Sequence, residues 1–247
     1  EDGGTDISAK NRVHTFDVPV TDYFGQLVGD SLLVMTGGGA TTTLDTISAL
    51  SNTRLVALYF SAHWCGPCRS FTPMLSEFYS YLKEVFPRHG LEVIFVSSDR
   101  DDAQFQQYYR TMPFMALPFS NRHLAQHLKS VFGVRGIPSL VVLDSISGRI
   151  VVSPEDCRRD VHQACQRGER AIEQLFKTWL EKIPEESKSM LDILRLSCEE
   201  ADRDNDVDSK ESASKINTKT NEYLVRRKQP SGLSSKEESA ALVKDIF

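Results

Sequence analysis

Two cysteines separated by two residues, in Trp64-Cys65-Gly66-Pro67-Cys68, stand where a strand-like run meets a helix-like one. That junction restricts the folds open to the chain more than any other feature. Before it, Arg54-Leu-Val-Ala-Leu-Tyr-Phe60 is almost wholly apolar and of strand length, the pattern of a central strand buried on both faces. After it, Phe71, Leu75, Phe78, Leu82 and Val85 recur at steps of three and four, which predicts one apolar stripe along a helix from about Cys65 to Phe86, with Pro87 ending it. Pro73 lies inside that helix and removes the bond to the Arg69 carbonyl, so a kink is expected.

The rest of the chain alternates in the same way. The segments His14–Val18 and Ser31–Met35 read as short strands ahead of a turn at Gly37-Gly38-Gly39, which lacks the Gly-Lys-Ser/Thr of a phosphate loop. A short helix is expected over Thr43–Leu50, a buried strand over Leu91–Ser97 and a helix over Asp101–Thr111. Met112–Phe119, with Pro113 and Pro118, reads as a loop, and Asn121–Phe132 as a helix. Ser139–Leu143 and Arg149–Val152 form a hairpin through Asp144-Ser-Ile-Ser-Gly148, followed by helices over Pro154–Gln166 and Glu169–Ile183. Strands alternating with helices and closing on a hairpin predict an α/β fold, a three-layer sandwich around a mixed sheet.

Composition sets the boundaries. Residues 1–12 are polar and expected to be flexible, and residues 13–183 carry the domain. From 184 to 247 there are 14 acidic and 11 basic residues, with Tyr223 and Phe247 the only aromatics, so a charged, largely flexible extension is expected, helical in part over Ser187–Asp202. The net charge of −5 is too mild for a nucleic-acid footprint, and no window approaches the roughly 18 apolar residues of a membrane span. The five cysteines, Cys65, Cys68, Cys157, Cys165 and Cys198, are too sparse for a disulfide scaffold and odd in number, which suits a reducing compartment.

The pair itself carries chemistry. Cysteines three apart on a first helical turn have Cβ atoms about 5–6 Å apart, so a disulfide closes with little rearrangement. Cys65 lies beside free backbone N–H groups and the positive end of the helix dipole, both of which favour its thiolate, the attacking species. Cys68, one turn in, would displace the mixed disulfide, and Pro67 suits a first turn, where its missing N–H is harmless. Two rival readings are half a zinc site and packed thiols. Zinc needs two further ligands, and Cys157, His162 and Cys165 are not at a structural zinc spacing.

The stretches Leu58-Tyr-Phe-Ser-Ala-His-Trp-Cys-Gly-Pro-Cys-Arg-Ser-Phe-Thr-Pro73, Phe95-Val-Ser-Ser-Asp-Arg100, Met112-Pro-Phe-Met-Ala-Leu-Pro-Phe119 and Phe132-Gly-Val-Arg-Gly-Ile-Pro-Ser-Leu-Val-Val-Leu-Asp144 together resemble the thioredoxin superfamily, and within it the tryparedoxin and nucleoredoxin-like branch. The likeness covers about two fifths of the chain. It implies a thioredoxin-like fold, a cis Ile137–Pro138 peptide beside the cysteines, and a substrate-binding surface of Trp64, Gly66, Pro67, Ile137 and Pro138. Two departures stand out: Tyr59 occupies the position of the buried Asp of short thioredoxins, and Gly66-Pro67 replaces the branch's usual two prolines.

The expected function is therefore a protein dithiol–disulfide oxidoreductase using Cys65 and Cys68, with no bound cofactor and no metal. The resemblance implies oxidised client proteins such as thiol peroxidases, and an electron donor that is trypanothione-like, glutathione or a reductase. A redox-sensitive adaptor, whose partner binding the same pair switches, is the alternative. The expected location is the cytosol, with the nucleus as the alternative. Asp202-x-Asp204-x-Asp206-x-Asp208 lacks the Gly and Glu of a calcium loop, with Val207 and Ala213 in their places, and reads as a solvated acidic run.

Overall fold

The computed structural model describes residues 23–37, 39–88 and 90–188. The expected strand at His14–Val18, the flexible 1–12 segment and the extension beyond 188 lie outside the described residues. Among the described residues seven strands form one sheet in the order β2-β1-β5-β4-β3-β6-β7. They are β1 (Ser31–Met35), β2 (Thr41–Asp45), β3 (Thr53–Ser61), β4 (Gly90–Ser97), β5 (Met115–Ala116), β6 (Ser139–Asp144) and β7 (Ile150–Val152). The helices are α1 (Tyr23–Val28), α2 (Thr46–Leu50), α3 (Gly66–Val85), α4 (Asp102–Tyr109), α5 (Arg122–Val131), α6 (Pro154–Arg167) and α7 (Glu169–Glu181).

The continuous apolar run is β3, buried at every position. Its side chains alternate between two cores, as the pleat requires. Leu55, Ala57 and Tyr59 pack among residues of α3, α4, α6 and α7, whereas Val56, Leu58 and Phe60 pack with α1, α2 and α5. The sheet thus separates two helical layers, the mixed α/β/α sandwich expected. β3 pairs parallel to β4 and antiparallel to β6, with Tyr59 opposite Leu140 and Phe60 opposite Ser139. This register sets the end of β3, where the cysteines follow, beside the start of β6, where Pro138 precedes.

Four local expectations are corrected. Thr43–Leu50 is not all helix: Thr41–Asp45 pairs with β1 as an edge strand, and only Thr46–Leu50 turns helical. The β-branched run Thr41-Thr42-Thr43 favours the pleat, and Asp45 ends it by accepting from Ser48 N at 2.9 Å, capping α2. The helix α1 was unexpected; its Phe24, Leu27 and Val28 are buried at helical spacing. The loop after α4 contains the two-residue β5, which bridges β1 and β4. Finally, packing continues beyond Ile183, because Ser187 is buried and donates to Asp144 Oδ2 at 2.6 Å. α3 is one twenty-residue helix that includes Pro73.

Asp144 organises the end of the sheet remote from the cysteines. Buried Arg54 donates to its Oδ1 at 2.7 Å, and the Ser147 amide donates to its Oδ2 at 3.0 Å. The hairpin turn closes through Gly148, whose φ of +69° and contact with the Tyr23 ring, 2.2 Å from where a Cβ would stand, both require glycine.

Candidate active site

Cys65 is the N-cap of α3 and has extended backbone angles, φ −85° and ψ 110°. Its Sγ accepts from the Cys68 amide at 3.2 Å, one of the donors that a first helical turn leaves unpaired. Pro67 occupies that first turn at no hydrogen-bonding cost. Cys65 and Cys68 are joined in a disulfide with Cα atoms 5.2 Å apart, within the range such bonds span. Cys68 is wholly buried and Cys65 is 7% exposed, so solvent reaches the N-terminal sulfur first. Gly66 and Pro67 are exposed beside it.

The loop before β6 completes this edge. The Ile137–Pro138 peptide is cis, and the Ile137 carbonyl oxygen lies 3.8 Å from Cys65 Sγ. Ile137, partly buried, packs on Cys65, Cys68 and Ala62. Trp64 is 48% exposed, donates through Nε1 to the Ser98 carbonyl at 3.1 Å, and carries the Arg100 guanidinium 5.8 Å above its ring. All seven residues expected at the site from the sequence and its resemblance therefore sit at one edge of the sheet.

Asp99 was not singled out by the sequence reading, yet it holds the loop that presents the pair. The His63 amide donates to Asp99 Oδ1 at 2.7 Å, and Ser97 Oγ donates to Oδ2 at 2.8 Å. Only the parallel pairing of β3 with β4 brings residues 36 apart in the chain together. Arg69 fixes the same loop by donating to the His63 carbonyl. The His63 ring itself packs on Tyr108, with centroids 5.8 Å apart.

Beneath Cys68 lies a closed group of hydroxyls. Tyr59 Oη is 2.9 Å from Thr72 Oγ1, Ser61 Oγ donates to it at 3.1 Å, and Tyr108 Oη meets both Ser61 and Thr72. Thr72 Oγ1 also donates to the Cys68 carbonyl at 3.0 Å. Burial, and then the neighbouring Tyr108, push the Tyr59 phenol well above its ordinary pKa, so the position of the expected buried acid is filled by a neutral network. The two remaining described thiols are unlike Cys65. Cys157 is fully buried and its pKa is raised chiefly by burial; Cys165, half-buried with its Sγ–H towards the Met74 carbonyl at 3.6 Å, is pushed up to about 11 by burial. Both stay protonated near neutrality and lack nucleophilic character.

A redox-capable cysteine pair capping the helix that follows a central strand, with a cis-proline loop across from it, defines a thioredoxin-like protein. A thioredoxin-like family model matches residues 52–150. Bovine (Bos taurus) nucleoredoxin is 44% identical over 110 residues, 42% of this chain and 25% of that protein. Trypanosoma brucei brucei tryparedoxin is 42% identical over 98 residues, covering 40% of this chain and 66% of that protein. The crystal structure of tryparedoxin I from Crithidia fasciculata is 32% identical, with a TM-score of 0.50, covering 58% of this chain and 92% of that one. The chain belongs to the thioredoxin superfamily, in its tryparedoxin and nucleoredoxin-like branch. It spans about a quarter of the length of the mammalian nucleoredoxins it matches. Among the described residues no helix is long and apolar enough to cross a membrane.

Proposed function

We propose that the chain is a protein dithiol–disulfide oxidoreductase that reduces client disulfides. The observation that carries this reading is the asymmetry of the pair: Cys65 Sγ is capped by the Cys68 amide and reached by solvent, whereas Cys68 is enclosed. In the reduced protein the Cys65 thiolate attacks one client sulfur; the client S–S bond breaks and that client's second sulfur leaves as thiolate. Cys68, as thiolate, then attacks Cys65 Sγ, forming the intramolecular disulfide and releasing the first client sulfur. Two electrons pass to the client, and its two thiolates take protons from solvent.

Trp64, Gly66 and Pro67 form one wall for the client. Ile137 and Pro138 form the other, with the Ile137 carbonyl oxygen 3.8 Å from Cys65 Sγ. The cysteine pair is itself the redox group, so no bound cofactor or metal takes part. An external donor, either a small dithiol such as trypanothione, glutathione or a protein reductase, regenerates it, and oxidised proteins such as thiol peroxidases are the clients. The work belongs to a reducing compartment, the cytosol or nucleus.

The experiment is catalysed reduction of a model protein disulfide by the full chain, with each donor supplied in turn. Turnover that disappears in Cys65→Ser and persists in Cys157→Ala supports the reading. A formed Cys65–Cys68 disulfide with no turnover from any donor overturns it and leaves a redox-sensitive adaptor.

A further inference from the structure

Three arginines line the edge that carries the disulfide, each held by a neutral group. Arg69 donates to the His63 carbonyl; Arg122, at the start of α5, donates to the Ser97 carbonyl at 3.1 Å and lies 4.7 Å over the Phe119 ring; Arg100 covers Trp64. The ion pairs among the described residues, including Arg54–Asp144 and Lys83–Glu92, involve none of them. A guanidinium has five N–H donors, and Arg69 and Arg122 each commit one to a carbonyl. Arg135 is exposed two residues before Ile137.

The nearby carboxylates offset part of this charge without pairing with the arginines. Asp99 is 1% exposed and engaged by His63 and Ser97. Asp101 directs both oxygens to Gln104, leaving the exposed Asp102 in the first turn of α4. On the same helix, burial and then Arg122 lower Lys129 from its ordinary pKa.

We propose that this arginine rim selects client disulfides flanked by acidic residues, whose carboxylates dock on Arg69, Arg100 and Arg122 while Cys65 attacks. The inference rests on the oxidoreductase reading and assigns its substrate class. Guanidinium forks match carboxylates two bonds at a time, and a surface with a net positive charge speeds encounter with ligands of the opposite sign.

The test is a single turnover of the pre-reduced full chain against three synthetic peptides that share one intramolecular disulfide and differ only in flanks of Glu, Ser or Lys. The expected result is reduction of the Glu peptide about tenfold faster than the Lys peptide at low ionic strength, with the ratio collapsing in about 0.5 M salt. In Arg100→Glu/Arg122→Glu the ratio of the two rates inverts, and a ratio cancels any general loss of activity. Equal rates for all three peptides, or a preference the double variant leaves intact, overturns the proposal while reduction of the Ser peptide upholds the oxidoreductase. Failure to reduce any peptide removes the oxidoreductase reading itself. A Cys65–Cys198 mixed disulfide trapped in Cys68→Ser would assign the rim instead to the chain's own Glu199–Asp208 segment and overturn selection of a separate client.

Discussion

The two ends of the sheet treat arginine in opposite ways. Near the start of β3, Arg54 is buried and paired with a carboxylate that also receives Ser147 and Ser187. Past its other end, Arg69, Arg100 and Arg122 are placed by carbonyls and an aromatic ring, with no carboxylate at ion-pair distance among the described residues. A buried charge without its partner costs several kcal/mol, so the first end is fixed by folding. An exposed charge is solvated by water and loses little when a ligand replaces that water, so the second end is available to function.

The contrast can be broken most sharply at the cysteines. Cys65→Ser is expected to lower turnover by at least a hundredfold, and Cys68→Ser to accumulate a mixed disulfide visible by intact mass, both with a normal far-ultraviolet spectrum. At the opposite end, Asp144→Ala leaves Arg54 buried and unpaired and is expected to cost about 3–5 kcal/mol in a urea titration. Its rate at permissive temperature should stay within about twofold of the parent, because the end that reacts is untouched; a hundredfold loss would refute the separation of roles. A smaller effect is expected from pH. Cys157, Cys165, Tyr59 and Tyr109 all have pKa values raised by burial. When unfolded they ionise from about pH 9 upward, while the folded chain keeps its protons. The stability present below pH 9 is therefore lost progressively as pH rises toward and beyond 11, read as a falling urea midpoint. Least is expected of Tyr59→Phe, which removes one hydroxyl from a network with other partners: about 1 kcal/mol of stability, measured by thermal unfolding, and a shallower change in rate than either cysteine variant.

The sequence disclosed those parts whose physics is local. β3 and α3 are long, strongly patterned and joined at the cysteine pair, so both their existence and their order could be read directly. The α1 helix was obscured because six residues with Phe24, Leu27 and Val28 buried are too short to separate from alternation. The threonines of β2 are polar and exposed, and only pairing with β1 marks them as a strand. Asp99 and the arginine rim are tertiary facts: Asp99 meets His63, and Arg122 meets Ser97, across gaps in sequence that only the strand order closes. The cis peptide at Ile137–Pro138 was accessible through family likeness alone, since an X–Pro pair by itself favours trans.

The cap at Cys65 has an electrical meaning. An N–H donor aimed at sulfur binds a thiolate more strongly than a neutral disulfide sulfur, so the Cys68 amide stabilises the reduced protein over the oxidised one. What stabilises the reduced form raises the couple's potential, by about 30 mV for each 1.4 kcal/mol. The folded pair is therefore a stronger oxidant than it would be without that one N–H donor, and the first turn of one helix acts as a voltage setting that equilibration with glutathione redox buffers will read.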